Sequence, residues 1–484
     1  HDALPISLER SGGDAAACAF RTASAVQIYP VELTRAELDP AHAADLQLRL
    51  SLALGGGATF DTVGFEALRL QALGDPLTRY TLYDWLTRHT ARVTVRTADG
   101  EDCLTIGRDA LRPVGFADHE ALYPHLPLPL PGFRLLEEYF TFPDKFLGVE
   151  MRGLERIPRG RLRDRFELVL HLGRPPAPEL SVSAANLGLG CVPAVNISEQ
   201  EQVERRLVPG AHQAELNAPN DGVVFDVVRV GGHRRGTGEW LELAPLLATE
   251  GAGRDRDALY FQLVYRGDTA SGARTLLTVV DAHGAPRPPD VDALSVWMTY
   301  TDGSRPYLLG EGAIDRPGPS TPEYVDFANV TPVTRGEPLG LVRERYWRLM
   351  ALFSCQPSDL YGVNGLQQLV AAASGGRAGS PVPSVQRVSS TTTARLHRQT
   401  MVPVREIEVE VDDASVEHEG QLCLLARVLA GLFGQTSRPG QIFYRVTLRA
   451  APSGREVCVD WTFDIVHREG MLYGAPQPGQ TGTS

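Results

Sequence analysis

The sequence predicts a β-rich α+β protein of several domains, with β-sandwich-like units, short helices and an α+β domain at the C-terminus. Short segments of alternating apolar and polar residues recur along the chain, and a period of two places every second side chain on one face of a strand. Gly, Pro and Asp turns separate the segments of the middle region at regular distances, as in a β-sandwich. The last region reads strand, helix, strand, strand, which is an α+β arrangement.

Residues 1–123 are predicted to form a β-rich N-terminal domain. The alternating segments 25–33, 46–52 and 91–96 indicate half-buried antiparallel strands. Residues 76–86 begin with proline and carry apolar residues at near-helical spacing, so one short helix is expected there. This domain is therefore expected to be a sheet crossed by one helix.

Residues 124–335 are predicted to form a central β-sandwich region that is opened by a connector and a helix. The connector, 124–131, is stiff because each proline removes a backbone donor and restricts the preceding residue. The helix is expected at 133–142. The strands predicted after it are 147–151, 165–172, 222–230, 259–265, 275–280 and 294–300.

Residues 336–470 are predicted to form a C-terminal α+β domain. Two helices are expected first, at 341–353 and 363–373, and the segment 374–393 is predicted to be flexible because it is rich in Gly, Ser, Pro and Thr. The later elements are a strand at 405–411, a helix at 421–432, and strands at 442–449 and 457–463. The tail, 471–484, is predicted to be disordered.

Composition and charge narrow the classes of function. The 484 residues carry a formal net charge of −12, which argues against a nucleic-acid partner because phosphate binding needs clustered basic groups. No apolar run approaches the roughly 20 residues that span a bilayer, so no membrane insertion is expected. The six cysteines are far apart and lack metal-ligand spacing, which fits free thiols in a reducing compartment. We therefore expect neither a metal nor a cofactor.

The most distinctive stretch is residues 131–146, here named the signature segment. It contains Lys145, the single lysine among 47 Lys and Arg residues. A compact ammonium kept among arginines indicates a tight site without room for a planar guanidinium, and chance survival of one lysine codon is the alternative. Four aromatic side chains of the segment are predicted to be a buried packing anchor: Tyr139, Phe140, Phe142 and Phe146.

No catalytic site is predicted. The chain lacks a phosphate loop, a GxSxG elbow and an HExxH pair. Glu137 and Glu138 are adjacent, and adjacent helical residues point about 100° apart, so the two cannot flank one glycosidic bond. A structural assembly protein explains the many strands and the missing site. A carbohydrate-active β-sandwich enzyme or binding module explains only the fold class, and it would require two carboxylates facing each other in a cleft.

Three ordered motifs carry a family resemblance. They are residues 111–116 (LRPVGF), the signature segment (PGFRLLEEYFTFPDKF) and residues 190–196 (GCVPAVN). Their order and spacing resemble the TssF family, also called ImpG or VasA, which are baseplate components of the bacterial type VI secretion system. The resemblance extends from residue 20 to the helix after residue 420. The structural and interaction residues that it implies are Pro131, Gly132, Phe133, Arg134, Leu135, Glu137, Glu138, Tyr139, Phe140, Phe142, Pro143, Lys145, Phe146, Gly190, Cys191, Pro193 and Asn196.

The resemblance implies an assembly role with defined partners. Two TssF copies and one TssG form a wedge that TssK binds, and six wedges surround the VgrG hub and template the contractile sheath and tube; TssE is a further expected partner. A cytoplasmic protein docked at the inner-membrane side of the apparatus is implied. The chain departs from the family in two respects. The family's long helical front is missing, which predicts a fragment or a diverged system, and residues 432–443 differ from the usual family run.

Overall fold

The computed structural model describes most of the chain. The described residues are 7–10, 18–39, 46–122, 132–173, 180–208, 210–246, 255, 257–266, 274–318, 321–322, 324–335, 361–374, 383–397, 400–435 and 443–460. The strands are β1 (Ser7–Arg10), β2 (Phe20–Thr22), β3 (Val31–Asp39), β4 (Leu46–Leu54), β5 (Ala67–Ala72), β6 (Thr90–Thr97), β7 (Asp102–Gly107), β8 (Leu111–Pro113), β9 (Gly148–Arg152), β10 (Arg165–Leu172), β11 (Leu187–Leu189), β12 (Ala194–Val195), β13 (Ser198–Arg206), β14 (Gln213–Leu216), β15 (Val223–His233), β16 (Trp240–Pro245), β17 (Tyr260–Arg266), β18 (Arg274–Val280), β19 (Ala293–Thr301), β20 (Ile314–Pro317), β21 (Val385–His397), β22 (Thr400–Asp412), β23 (Phe443–Ala451) and β24 (Glu456–Asp460). The helices are α1 (Phe60–Val63), α2 (Pro76–Asp84), α3 (Phe133–Thr141), α4 (Val363–Ser374) and α5 (Glu419–Gln435), and a π-helical turn, Trp85–His89, follows α2.

The architecture combines several sheets with few, mostly short helices, so the predicted β-rich α+β class is confirmed. Among the helices of the described residues, none has both the length and the hydrophobicity needed to cross a membrane.

Tertiary contacts divide the chain into two compact units, each of which is discontinuous in sequence. The first unit comprises residues 1–25 and 193–346, and the second unit comprises residues 26–192 and 347–484. Strand pairing explains the discontinuity of the first unit, because β2 near the start of the chain pairs with β12, and β1 pairs with β20. The sequence-predicted boundaries after residues 123 and 335 divide the chain differently and stay a prediction.

The first unit contains a seven-stranded sheet and a small four-stranded sheet. The larger sheet has the order β13-β19-β15-β16-β17-β18-β14 and is antiparallel except at the short β16–β17 pair. Its core includes Val230, Leu277 and Val296, which have no exposed area. The small sheet, β12-β2-β1-β20, packs its own apolar cluster around Phe20 and Ile314.

The second unit arranges three sheets and the helices around one continuous core. The sheets have the orders β3-β4-β10-β6-β7, β11-β5-β9-β8 and β21-β22-β23-β24. Helix α5 contacts β23 and β24 and also contacts α2 and α3, so it has neighbours around its circumference. Every residue from 422 to 433 is buried, and all of them except Arg427 are apolar or glycine, as expected for a helix inside a core.

Two glycines allow α2 and α3 to approach α5 closely. A Cβ atom on Gly420 of α5 would overlap the backbone of Tyr80 in α2. A Cβ atom on Gly132, just before α3, would lie 2.5 Å from the Cα of Leu432 in α5. Only glycine fits where another backbone comes this close. The glycine of the signature segment is therefore explained by helix packing.

Two of the predicted elements are wrong in part. The predicted strand 25–33 begins only at Val31, directly after Pro30, a residue that cannot donate a hydrogen bond to a ladder. Residues 385–393, predicted to be flexible, belong to β21 and pair with β22; their Val and Thr side chains favour an extended backbone. The other predicted elements of the described residues are present, with ends shifted by a few residues. The connector 124–131, the helix 341–353 and the tail 471–484 lie outside the described residues.

Candidate functional site

The signature segment forms α3 and a 3-10 turn, Pro143–Phe146, in the second unit. Its first residue, Pro131, lies outside the described residues. Phe133 and Leu135 are buried on α3, which contacts α4 and α5. Pro143 begins the 3-10 turn, where its fixed φ fits and its missing N–H costs nothing.

Glu138 is the centre of a buried ionic cluster, here named the Glu138 cluster, that also contains Arg134 and Lys145. Oε2 of Glu138 accepts hydrogen bonds from Arg134 Nη1 at 3.0 Å, one turn earlier on α3, and from Lys145 Nζ. Oε1 accepts from the backbone N–H of Leu122 at 2.9 Å. The side chains of Glu138 and Lys145 have no exposed area. An unpaired buried carboxylate costs several kcal/mol, so these donors are what allow Glu138 to lie in the core.

Arg134 joins α3 to the loop that precedes it in the chain. Nη2 of Arg134 donates to the carbonyl oxygen of Phe116 at 3.0 Å and to Oδ1 of Asp118 at 3.1 Å, while Nη1 binds Glu138. A planar guanidinium can bond several acceptors at once because its donors are fixed in a fork. Helix α3 therefore holds the loop at three points: the Phe116 carbonyl, the Asp118 carboxylate and the Leu122 amide.

The surroundings of Lys145 account for a lysine at this position. The ammonium contacts Glu138 and lies 5.0 Å from the ring centroid of Phe146. Burial lowers the pKa of Lys145 to about 8, although the charge of Glu138 opposes this shift. Gly115, at φ +94°, packs so closely that its Cβ would lie 2.9 Å from the carbonyl oxygen of Lys145. The geometry supports the interpretation of a tight site for a compact cation.

A second buried carboxylate, that of Glu120, holds the 111–116 motif. Its Oε2 accepts from the backbone N–H of Gly115 at 2.7 Å and of Ala117 at 3.3 Å. Its Oε1 lies 3.3 Å from Nη2 of Arg69, and Nε of the same arginine donates to Oε2 of Glu150 in β9 at 3.2 Å. Sequence reasoning missed both Glu120 and Arg69, because nothing in their local sequence indicates partners this far along the chain.

Three of the four predicted anchor rings are buried. Tyr139, Phe140 and Phe146 are almost fully inaccessible, and the Phe146 ring lies 4.9 Å from that of Phe116, centroid to centroid. The prediction is wrong for Phe142, which is half-buried. The reason is that α3 ends at Thr141, and Phe142 adopts an extended φ of −150° that directs its side chain off the helix register.

Glu137 and Glu138 have different environments. Glu138 is buried and bonded to three donors, whereas Glu137 is half-buried and its backbone carbonyl accepts from Thr141 Oγ1 at 2.6 Å. An acid and a base that flank one bond must face each other across a substrate. These two glutamates do not have that arrangement.

The 190–196 motif contains a turn and a half-buried thiol in its first half. Gly190 has φ +63°, a backbone conformation that favours glycine. Cys191 is half-buried, and burial raises the pKa of its thiol to about 11. A thiol with a raised pKa is a poor nucleophile, so Cys191 has the character of a packing residue.

The second half of that motif lies in the first unit, where it forms hydrogen bonds to residues 19–23 around β2. The carbonyl oxygen of Pro193 accepts from the backbone N–H of Ala23 at 2.8 Å. Asn196 Nδ2 donates to the carbonyl oxygen of Ala19 and to Oδ2 of Asp302, both at 2.7 Å. Asn196 Oδ1 also accepts from the Asp302 backbone N–H at 2.8 Å. Asn196 therefore cross-links three distant segments.

One group in the described part of the chain brings potential metal ligands together, namely Asp84, His89 and Glu419. Arg88 lies among them: its Nε is 3.0 Å from Asp84 Oδ1, and its Nη2 donates to Glu419. A guanidinium that bonds two of the three ligands supplies the positive charge that a metal would supply. The arrangement is an ion-pair network that joins the π-helical turn to α5.

We expect Lys145→Arg to lower the free energy of unfolding by about 1–3 kcal/mol, because a larger head group must enter a closed site. Denaturant titration with linear extrapolation measures the change. The matched control is Arg152→Lys, the reverse exchange in an ion pair whose arginine is about half exposed, and it should change stability by less than about 0.5 kcal/mol. If the Lys145→Arg protein were as stable as its parent, the tight-site interpretation would be wrong.

We expect Phe140→Ala to lower the free energy of unfolding by about 3–5 kcal/mol, since it removes a buried ring and leaves a cavity. Phe142→Ala provides the internal control, because the same atoms are deleted from a half-buried site two residues away. Its cost should be less than half that of Phe140→Ala. If Phe140→Ala and Phe142→Ala lowered the free energy of unfolding equally, in both thermal and denaturant unfolding, the assignment of Phe140 as an anchor would be contradicted.

Comparison with known proteins identifies the family. The sequence matches the family described as "Type VI secretion system, TssF" over residues 3–466. It is 30% identical over 331 residues to type VI secretion system component TssF1 of Pseudomonas aeruginosa. That alignment covers 62% of this chain and 53% of the relative, so the chain spans about half the length of this curated relative.

Solved structures share the fold. A chain in the cryo-electron microscopy structure of the type VI secretion TssK-TssF-TssG baseplate subcomplex superposes with a TM-score of 0.73 at 20% identity, covering 95% of this chain and 86% of that chain. A chain of the baseplate complex from the type VI secretion system gives a TM-score of 0.54 at 21% identity, covering 94% and 80%. Because the family match extends over nearly the whole sequence, the protein belongs to the TssF family of the type VI secretion system.

Proposed function

We propose that this protein is a structural wedge subunit of a type VI secretion baseplate. The observation that carries the proposal is the family match over residues 3–466, which includes all three motifs of the sequence. The fold shared with a chain of the TssK-TssF-TssG subcomplex supports the same role. Assembly, and not turnover of a substrate, is the work of such a subunit.

The contacts of the signature segment support an indirect part for it in the proposed assembly. Arg134 and Lys145 each donate to Glu138, and Glu138 and Arg134 also bond to nearby backbone groups, so these polar contacts are made inside the second unit. Buried polar networks of this kind fix one arrangement of the elements that they join. We propose that the segment acts indirectly, by holding α3 and the 111–122 loop in place so that partner-binding surfaces elsewhere keep their shape.

The proposal includes the absence of a catalytic role. The adjacent glutamates do not face each other across a cleft, and the Cys191 thiol has a raised pKa. The alternative, a carbohydrate-active enzyme or binding module, has no support from the comparisons or from the part of the chain that the structure describes. Turnover of any substrate that a single carboxylate or histidine substitution abolishes would contradict the proposal.

The proposed partners are those of the family. Two copies of the protein would join one TssG, TssK would bind the resulting wedge, and wedges would surround the VgrG hub with TssE nearby, at the cytoplasmic side of the inner membrane. Large apolar side chains of the first unit are strongly exposed, including Val208, Leu308 and Tyr324. Single exposed apolar residues are common on any protein surface, so these three do not by themselves mark an interface. They are positions at which substitutions can test contact with a partner.

We expect co-expression of the full reading frame with TssG of the same gene cluster to give a soluble complex of two copies of this protein and one TssG. Native mass spectrometry of the co-purified material measures the ratio. Obligate interfaces commonly bury more than about 2,000 Å², so the protein without TssG should aggregate or self-associate weakly.

The control is TssG from an unrelated type VI system, which should not rescue solubility. A protein that stays a well-behaved monomer and ignores its own TssG would defeat the wedge assignment.

A further inference from the structure

Strand β21 is a long edge strand in the second unit. It pairs with β22 along its whole length, from Val385 opposite Val411 to His397 opposite Thr400. Within the described residues, no strand pairs with its outer edge. Since β22 pairs with β23 only from Val404 onward, the distal part of the β21–β22 hairpin extends past the sheet as a two-stranded ribbon.

The hairpin is exposed on both faces where it extends. In this extending part, the consecutive residues Ala394 and Arg395 of β21 are both exposed although successive side chains point to opposite faces, and Met401 and Pro403 of β22 are exposed as well. A two-stranded ribbon without a covering layer is only marginally stable in water. The distal hairpin, residues 394–397 and 400–403, would therefore gain stability from a third strand, whereas residues 387–393 lie where β22 is also paired with β23.

Residues 387–395 have little of the usual protection of a free sheet edge, because charged side chains occur only at the two ends, Arg387 and Arg395. Proteins block free edges with charged side chains, especially Lys, and with Pro, bulges or very short strands. β21 contains neither Lys nor Pro, and its register irregularity lies at its start, between Val385 and Arg387. Residues 389–393 are all Ser or Thr, and Thr favours an extended backbone. The edge therefore presents a straight row of backbone donors and acceptors.

The solvent face of this sheet carries charges that alternate in sign from strand to strand. On β22 the row is acidic, comprising Glu406, Glu408 and Glu410, on the face opposite the buried Ile407 and Val409. On β23 the row is basic, and on β24 it is acidic again. Arg449 of β23 shows the pattern, because it lies between Glu410 of β22 and Glu456 of β24. Its Nε donates to Glu456 at 3.0 Å.

The outermost row of this pattern, on β21, is basic. Arg387 lies opposite Glu410, and Arg395 Nε donates to Glu406 at 3.0 Å. Opposite charges on neighbouring strands stabilise pairing, and like charges destabilise it. The next strand in this alternation would be acidic.

We infer that the outer edge of β21, from Arg387 to Arg395, is a docking site for an extended strand of a different protein that carries carboxylates facing these two arginines. Because side chains repeat every two residues on a strand, carboxylates eight residues apart lie on the same face and match the spacing of the arginines. Backbone hydrogen bonds would hold the added strand, and the charges would fix its register. The inference goes beyond the wedge assignment, since the edge could fail to bind peptides while the protein still assembles with TssG.

A second copy of this chain fits the edge poorly. Antiparallel self-pairing of β21 centred on Thr391 would place Arg387 of each copy opposite Arg395 of the other. Two such contacts between like charges would oppose pairing. The occupant that the charges favour is therefore an acidic strand from another protein.

The test uses two synthetic fluorescent peptides and the full chain. Each peptide alternates Thr and Val over eleven residues and has either Glu or Lys at its second and tenth positions. We expect fluorescence anisotropy to show at least about tenfold tighter binding of the Glu peptide at low salt, and hydrogen exchange to slow at the amides of residues 387–395. Equal affinity for both peptides, no binding, or protection outside β21 would overturn the inference.

Charge reversal provides the second arm. Arg387→Glu should remove most of the preference for the Glu peptide, and Arg387→Glu with Arg395→Glu should reverse it. The matched control is Arg35→Glu on β3, an edge strand of another sheet, where the arginine is 69% exposed; it should leave the preference unchanged. Circular dichroism checks that each variant is folded. Two results would contradict a docking site for an acidic strand of another protein. The first is that the parent protein forms concentration-dependent dimers and the double variant does not. The second is that the double variant still prefers the Glu peptide.

Discussion

The burial of the Glu138 carboxylate is the constraint on which the packing of the signature segment depends. Removing one partner of a buried ion pair commonly costs about 3–5 kcal/mol, a large share of the stability of a domain. Glu138 avoids this cost by taking one donor from each of three places: the Leu122 amide, the Arg134 guanidinium on its own helix and the Lys145 ammonium in the following turn. The loop, helix and turn are therefore placed relative to one another by one carboxylate.

The same arrangement seats α3 against α5, the buried centre of the second unit. Gly132 lies against the backbone of Leu432, and Gly420 lies against the backbone of Tyr80, so α5 is in close contact with both α3 and α2. These contacts tolerate little displacement because packed interiors have few voids. Anything that moved the 111–122 loop would therefore act on the helix layer, and through α5 on β23 and β24. In the proposed assembly role, such rigidity would keep binding surfaces in fixed positions.

The sequence predicted α3, because Pro-Gly and Pro143 are local signals for the two ends of a helix. The tight site at Lys145 stays a prediction. The partners of Glu138 could not be predicted, since Leu122 lies 16 residues away and its contribution is a backbone amide. Asn196 and Asp302, 106 residues apart, pose the same problem. The error at β21 has a different origin: Ser and Thr are common in loops, and the pairing with β22 that makes them a strand is invisible locally.

The most direct test of the account is a double-mutant cycle on Glu138→Gln and Lys145→Met, with the free energy of unfolding measured for the parent, both single variants and the double variant. If Glu138 and Lys145 are a buried, mutually dependent pair, each single change should cost about 3–5 kcal/mol. The double variant should then cost less than the sum by about 1–3 kcal/mol, because it leaves no uncompensated charge at this pair. Costs that simply add, to within about 0.5 kcal/mol, would contradict the claim that this carboxylate and ammonium hold the segment together.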